Sequence, residues 1–119
     1  MNIRTHKINN TTIAEIISDK EIIKHTEDAL ELLGNVYFQD IDKVIIHQKN
    51  LTTDFFDLKN KIAGDILQKF SNYRVYLVII GDFSKFTSNS LRDFIYESNK
   101  GKHVNFVANI GDALKLFSR

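Results

Sequence analysis

Residues 51–83, LTTDFFDLKNKIAGDILQKFSNYRVYLVIIGDF, carry the pattern that decides the fold. At a helical turn of a hundred degrees per residue, Phe55, Phe56, Leu58, Ile62, Ala63, Ile66, Leu67 and Phe70 fall within about half of the circumference, a core-facing stripe. Asn72, after Ser71, is expected to take the left-handed conformation that ends a helix. Arg74 to Ile80 is then an almost unbroken apolar run. A strand of that kind is covered on both faces, as in a parallel sheet with helices packed on it.

Lys59 interrupts the stripe. If the helix is continuous, its ammonium points into the apolar face, where an unpaired charge costs several kcal/mol. One reading breaks the helix around Leu58 to Asn60, with Thr53 capping a first turn and Asn60 capping the main helix. The other aims Lys59 into a pocket, where it meets an anion.

Toward the amino terminus, Ile3 to Ile8 and Thr11 to Ile17 read as strands joined by Asn9-Asn10, a hairpin signature. Ile22 and Ile23 are expected to tuck a loop against the core. Thr26 is a helix cap, and Ala29, Leu30, Leu33 and Tyr37 recur at helical spacing up to Gly34-Asn35, which places a first helix at about Glu27 to Val36. Asp42 to His47 is a short buried strand, and Gln48 to Thr52 a polar connection.

Toward the carboxyl terminus, Gly81-Asp82-Phe83 opens a Ser/Thr-rich loop. Ser88 or Ser90 caps a helix with Leu91, Phe94 and Ile95 on its inner face, which ends at Asn99 to Gly101. His103 to Ala108 alternates as a last strand, and Asn109 caps a final helix with Ile110, Ala113, Leu114 and Phe117 inward. The expected architecture is α/β, order ββαβαβαβα: a mostly parallel sheet of about five strands with an N-terminal antiparallel hairpin and about four helices, in a single domain over residues 1–119.

Composition narrows the function classes. The 16 basic and 15 acidic side chains nearly cancel and are interspersed, which leaves no electrostatic footprint for nucleic acid. The absence of cysteine removes thiolate chemistry and cysteine zinc sites, and His6, His25 and His103 show no metal-ligand spacing with carboxylates. No cofactor motif or metal site is expected. No run reaches the roughly 18 apolar residues of a membrane span, and Met1 to Ile8 shows no secretory hydrophobic region, so a cytoplasmic location is expected. Abundant Ile, Lys and Asn without proline fit an AT-rich bacterial genome.

The segments DALELLGN (28–35), FFDLKNKIAGDILQKFSNYR (55–74), IIGDFS (79–84) and LRDFIYESNKG (91–101) resemble an uncharacterised bacterial family, domain of unknown function 4180. The resemblance covers nearly the whole chain and implies a family without a known activity. Where that family is expected to read DFFDLKTGLAG, this chain has Asn60 and Lys61 in place of the Thr-Gly pair; a glycine there would give a ligand close access to the backbone. The element order is also similar to that of STAS domains, non-catalytic switches regulated by phosphorylation after the third strand, although their Asp-Ser-Ser-Gly signature is absent. That junction here holds Thr52 and Thr53.

In an open parallel sheet, ligands bind beyond the carboxyl ends of the strands, where connections diverge to opposite faces. The ligand-binding candidates on that rim are Thr52, Thr53, Asp54, Asp57, Lys59, Gly81 and Asp82. Asp54 and Asp57 equally suit a helix start. His47 and Asp82 are the candidates for acid-base chemistry, with His47 a base beside Asp54 or Asp82 or simply a hydrogen-bonded strand end. On the opposite rim, Asn72, Tyr73, Arg74, Glu97 and Asn99 form either a partner surface or, through an Arg74–Glu97 salt bridge, a lock between two helix ends. No dinucleotide fingerprint, Walker loop, nucleophile elbow or zincin motif is present.

The function expected from these features is a non-enzymatic, STAS-like regulatory module that binds a protein partner or a small anionic ligand. The alternative is a small enzyme acting on an anionic metabolite at the carboxyl ends of the strands. The aromatics Tyr37, Phe38, Tyr76, Phe83, Phe86 and Tyr96, with open sheet edges, invite a homodimer.

Overall fold

A computed structural model describes residues 2–118. Asn9 and Asn10 both adopt positive φ, 51° and 65°, which gives the primed turn that matches strand twist. Strand β1 (Asn2–Ile8) and strand β2 (Thr11–Ile17) therefore pair antiparallel, Asn2 opposite Ile17 and Ile8 opposite Thr11. Strands β3 (Lys43–His47), β4 (Tyr76–Ile80) and β5 (Val104–Val107) follow in parallel, and the sheet order is β1-β2-β3-β4-β5. The crossovers are helices α1 (Thr26–Phe38), α2 (Ile62–Asn72) and α3 (Asn89–Lys100); helix α4 (Ile110–Phe117) follows β5. The order read from the sequence is the order that forms.

The side-chain alternation of the strands sorts the core into two clusters. Ala14, Ile16, Val44, Ile46, Leu77, Ile79 and Phe106 meet α1, α2 and α3 on one face. On the other, Ile13, Ile45, Val78 and Ile80 meet Ala113 of α4 and its neighbours Ile110, Leu114 and Phe117. This corrects the expectation that successive connections diverge to opposite faces. Strand order runs with chain order, so crossovers of one hand all land on the same side and the parallel part has no switch point.

The break in the central helix is real. Thr53–Phe56 and Leu58–Asn60 are separate 3-10 turns, and Lys59 is exposed on the second of them. Thr52, not Thr53, caps the first turn, its hydroxyl accepting from the Asp54 N–H at 3.4 Å. Asn60 Oδ1 accepts from the Ile62 N–H at 2.9 Å, while Lys61 occupies the cap position in the left-handed conformation, φ 66°. A glycine at this place would serve the backbone geometry.

Helix ends differ from expectation in an instructive way. Helix α1 starts one residue earlier than Thr26 capping would allow, because the Asp28 carboxylate accepts from the Lys24 and His25 N–H groups. It also passes through Gly34 and Asn35 to Phe38, and Asp40 (φ 59°) ends it: Asp40 N–H reaches Tyr37 O and Ile41 N–H reaches Val36 O. Helix α2 ends the same way. Arg74 (φ 57°), not Asn72, takes the left-handed position, with Arg74 N–H on Ser71 O and Val75 N–H on Phe70 O. These are paired Schellman motifs, each sealed by a buried apolar residue just past the turn.

Lys61 and Arg74 both hold a conformation that costs a residue with a Cβ and costs glycine nothing. Lys61→Gly and Arg74→Gly are each expected to stabilise the fold by about 0.5–1 kcal/mol in urea unfolding, whereas Gly34→Ala, inside α1 with open space around its Cβ position, should stabilise by a similar amount through helix propensity.

Candidate functional site

At the carboxyl rim, β3 ends on His47, and its ring is already committed. Glu15, in the middle of β2 and only 5% exposed, accepts from His47 Nε2 at 2.7 Å through one oxygen and from His6 Nε2 at 2.8 Å through the other. Register explains the contact: His6 faces Ile13 and His47 lies two residues beyond Ile45, the partner of Glu15, so both imidazoles are diagonal neighbours of one carboxylate. The cluster staples β1, β2 and β3 on the face that only α4 covers. Burial pushes the Glu15 carboxyl up, but the hydrogen bonds from His47 and then His6, with their charge, outweigh it and hold it below the ordinary 4.5. An ionised carboxylate only accepts, so both rings carry their proton on Nε2 when neutral.

His47 is therefore not a base beside Asp54 or Asp82. Its backbone N–H donates to Asn50 Oδ1 at 3.3 Å, and its ring faces the Asn50 N–H across the 48–50 turn. Buried Asn50 spends its amide on Ser18 O and Lys20 O, at 2.8 and 2.9 Å, which ties the loop after β2 to the end of β3. Among the described residues no group of His, Cys, Asp and Glu has a metal-holding arrangement.

The other rim candidates divide by environment. Thr52 is nearly buried, its N–H on Ile23 O; Thr53 and Asp54 are exposed, and Asp54 O accepts from Asn60 Nδ2. Asp57 caps the second 3-10 turn through the Lys59 N–H at 3.3 Å. Asp82 is exposed and accepts from the Ser84 hydroxyl at 2.6 Å and the Ser84 N–H at 3.1 Å, contacts that hold its carboxyl below the usual range. Gly81 is a packing site: a Cβ there would lie 2.5 Å from Gln48 Oε1 and 2.7 Å from Gln48 Cβ. Thr53 lines a cavity with Gln48, Lys49, Phe56, Lys85 and Phe86. A second cavity, of about 480 Å³, opens at His47 between Asn2, Ser18, Lys20 and Lys49.

The amino rim looks different. The expected Arg74–Glu97 salt bridge does not form; Glu97 pairs with Lys100 of its own helix at 3.2 Å. The Asn99 amide spans the outer side of β5, accepting from Phe106 N–H at 2.7 Å and donating to Phe106 O at 3.2 Å, so it satisfies an edge strand. Tyr37 and Tyr73, 72% and 46% exposed, border a cavity of about 340 Å³ with Asp40, Ile41, Asp42 and Val75. Phe38, 89% exposed, meets Tyr37 edge to face at 6.1 Å.

The family model for a domain of unknown function, DUF4180, matches residues 8–116, which include both rims. The chain belongs to DUF4180. Neither the curated proteins nor the solved structures contain a match. The DUF4180 chain thus carries a family assignment and a fold, and no helix of its described residues is long and apolar enough to cross a membrane.

Sequence reasoning passed over Glu15 and weighed His6 only as a metal ligand. The one available signal was an acidic residue inside the apolar run of TTIAEII, which in an interior strand needs a partner. Glu15→Ala in this DUF4180 chain is expected to cost about 1–3 kcal/mol at pH 7 by leaving both imidazoles without their acceptor, and Glu15→Gln less. Because the folded Glu15 pKa lies below its unfolded value, its contribution is complete above about 4.5 and disappears as pH falls through the lowered folded value. Urea midpoints of wild type and Glu15→Gln should therefore converge at the acid end; a gap unchanged there refutes the role. Gly81→Ala should lose about 1–3 kcal/mol by overpacking against Gln48, with partial recovery in Gly81→Ala/Gln48→Gly.

Proposed function

We propose that this protein is a non-enzymatic binding module whose protein partner docks on the amino rim, around Tyr37, Phe38 and Tyr73. The observation that carries the reading is three exposed aromatic rings, Tyr37 and Tyr73 bordering one cavity and Phe38 set edge to face against Tyr37, at the ends of two helices whose last turns are fixed by Schellman motifs. Burying a Phe side chain is worth about 1.5–3 kcal/mol, so Phe38 and its neighbours hold binding free energy that folding leaves unused. Aromatics on a rigid support lose little conformational entropy on docking and are typical interface anchors. Asp40 beside the cavity suits a partner that offers a cation next to an apolar side chain, while Asp42 is already paired with Lys43 at 3.0 Å.

The STAS-like element order supports a regulatory version of this reading, with exposed Thr53 rather than nearly buried Thr52 as the accessible hydroxyl. The enzymatic alternative has less behind it. His47 is held by Glu15, Asp82 by Ser84, and Lys59 stands exposed on a separate turn. Self-association remains the neighbouring version: with Phe106 of the β5 edge engaged by Asn99, a second copy would meet the aromatic rim more readily than that edge.

A photo-crosslinking side chain at position 38, introduced in the native host, tests the proposal. The expected result is a discrete adduct that is lost in Tyr73→Ala and not formed from position 59. An adduct with a second copy of the chain converts the reading to a homodimer, and sedimentation should then show a dimer that Phe38→Ser dissociates. Equal labelling from positions 38 and 59 removes the proposal.

A further inference from the structure

The rim at the opposite end of the sheet holds a second feature, independent of the partner surface. The loops beyond β3 and β4 enclose a cavity of about 390 Å³, within the range of small-molecule sites. Its floor is apolar: Leu51 and Phe56 are buried, and the Phe56 and Phe86 rings stack 5.0 Å apart at 20°. Phe83 packs beside both rings and against the Gly81 position, which fixes that wall.

Lys49 and Lys85 stand at the mouth with Glu21, and the Asp82 carboxylate lies near enough to Lys85 to be favoured by its charge while it is bonded to Ser84. Lys49 already reaches Asp19 at 3.3 Å, whereas Lys85 has no salt-bridge partner among the described residues and lies 5.8 Å from the Phe86 centroid. An ammonium that makes no direct salt bridge, at the edge of a stacked aromatic floor, complements a molecule with the same two parts in the same order. A flat apolar ring continues the Phe56–Phe86 stack, and an anionic head takes a charge-assisted hydrogen bond from Lys85.

We propose that this cavity binds a small aromatic carboxylate, its ring on Phe86 as the next member of the Phe56–Phe86 stack and its carboxylate on Lys85, with the Thr53 and Gln48 side chains at the polar margin. Acetate lacks the ring, and the corresponding amide lacks the charge. Each should bind at least about tenfold more weakly than the acid.

The test is a ¹H–¹⁵N NMR titration of the full chain with indole-3-acetate, indole-3-acetamide and acetate as probes. Saturable shifts at Leu51, Thr53, Lys85 and Phe86 with indole-3-acetate are expected, weakened roughly tenfold in Lys85→Gln and unchanged in Lys59→Gln, an exposed lysine of the same rim. Phe86→Leu, which keeps the floor apolar, should weaken the ring contact while urea unfolding shows the fold intact. Equal binding of acid and amide, shifts that never saturate, or a Lys85→Gln variant that binds as wild type would each overturn the proposal. None of these outcomes bears on the amino rim.

Discussion

Each crossover of this fold steps the chain one strand further in the same direction, and the remaining architecture follows from that constraint. Three helices share one face of the sheet, while the other face receives only the eight-residue α4. A five-stranded sheet is wider than one short helix can cover. The β1–β2 end of that face must then be finished by side chains, and it is finished by a carboxylate between two imidazoles.

The Glu15 cluster shows how a buried charge is tolerated. Removing a carboxylate from water is expensive, and two charge-assisted hydrogen bonds to rings that remain partly solvated offset the cost. The result connects the hairpin to the parallel sheet across three strands. It also consumes the histidine that ends β3 at the carboxyl rim, whose ring is spent on a structural contact. Asn50 and Asn99 act in the same manner: each side chain satisfies backbone groups where a loop or a sheet edge would leave them open.

The two rims consequently differ in character. At the carboxyl ends, loops built from consecutive 3-10 turns enclose aromatic floor and ammonium groups, a setting for a small molecule. At the amino ends, two helices stop abruptly on left-handed Asp40 and Arg74 and leave Tyr37, Phe38 and Tyr73 projecting, a setting for a macromolecule.

Local patterns along the chain were sufficient for the element order, the parallel sheet and the hairpin at Asn9-Asn10, and they offered the break at Lys59 as one of two readings, because periodicity and turn chemistry act over a few residues. Family membership was likewise legible in contiguous segments. The side of the sheet each helix takes was not, since it depends on strand order, and neither were the helix stops at Asp40 and Arg74, where the packing of Ile41 and Val75 forces a left-handed residue that propensity would assign to Gly34 or Asn72. The Glu15–His6–His47 cluster and the Asn99 bridge were beyond reach for the same reason: each joins residues that only register and a finished sheet bring within hydrogen-bond distance. Sequence by itself determined which elements form, and the tertiary structure alone decided which polar side chains are spent on holding them together and which are left for a ligand or partner.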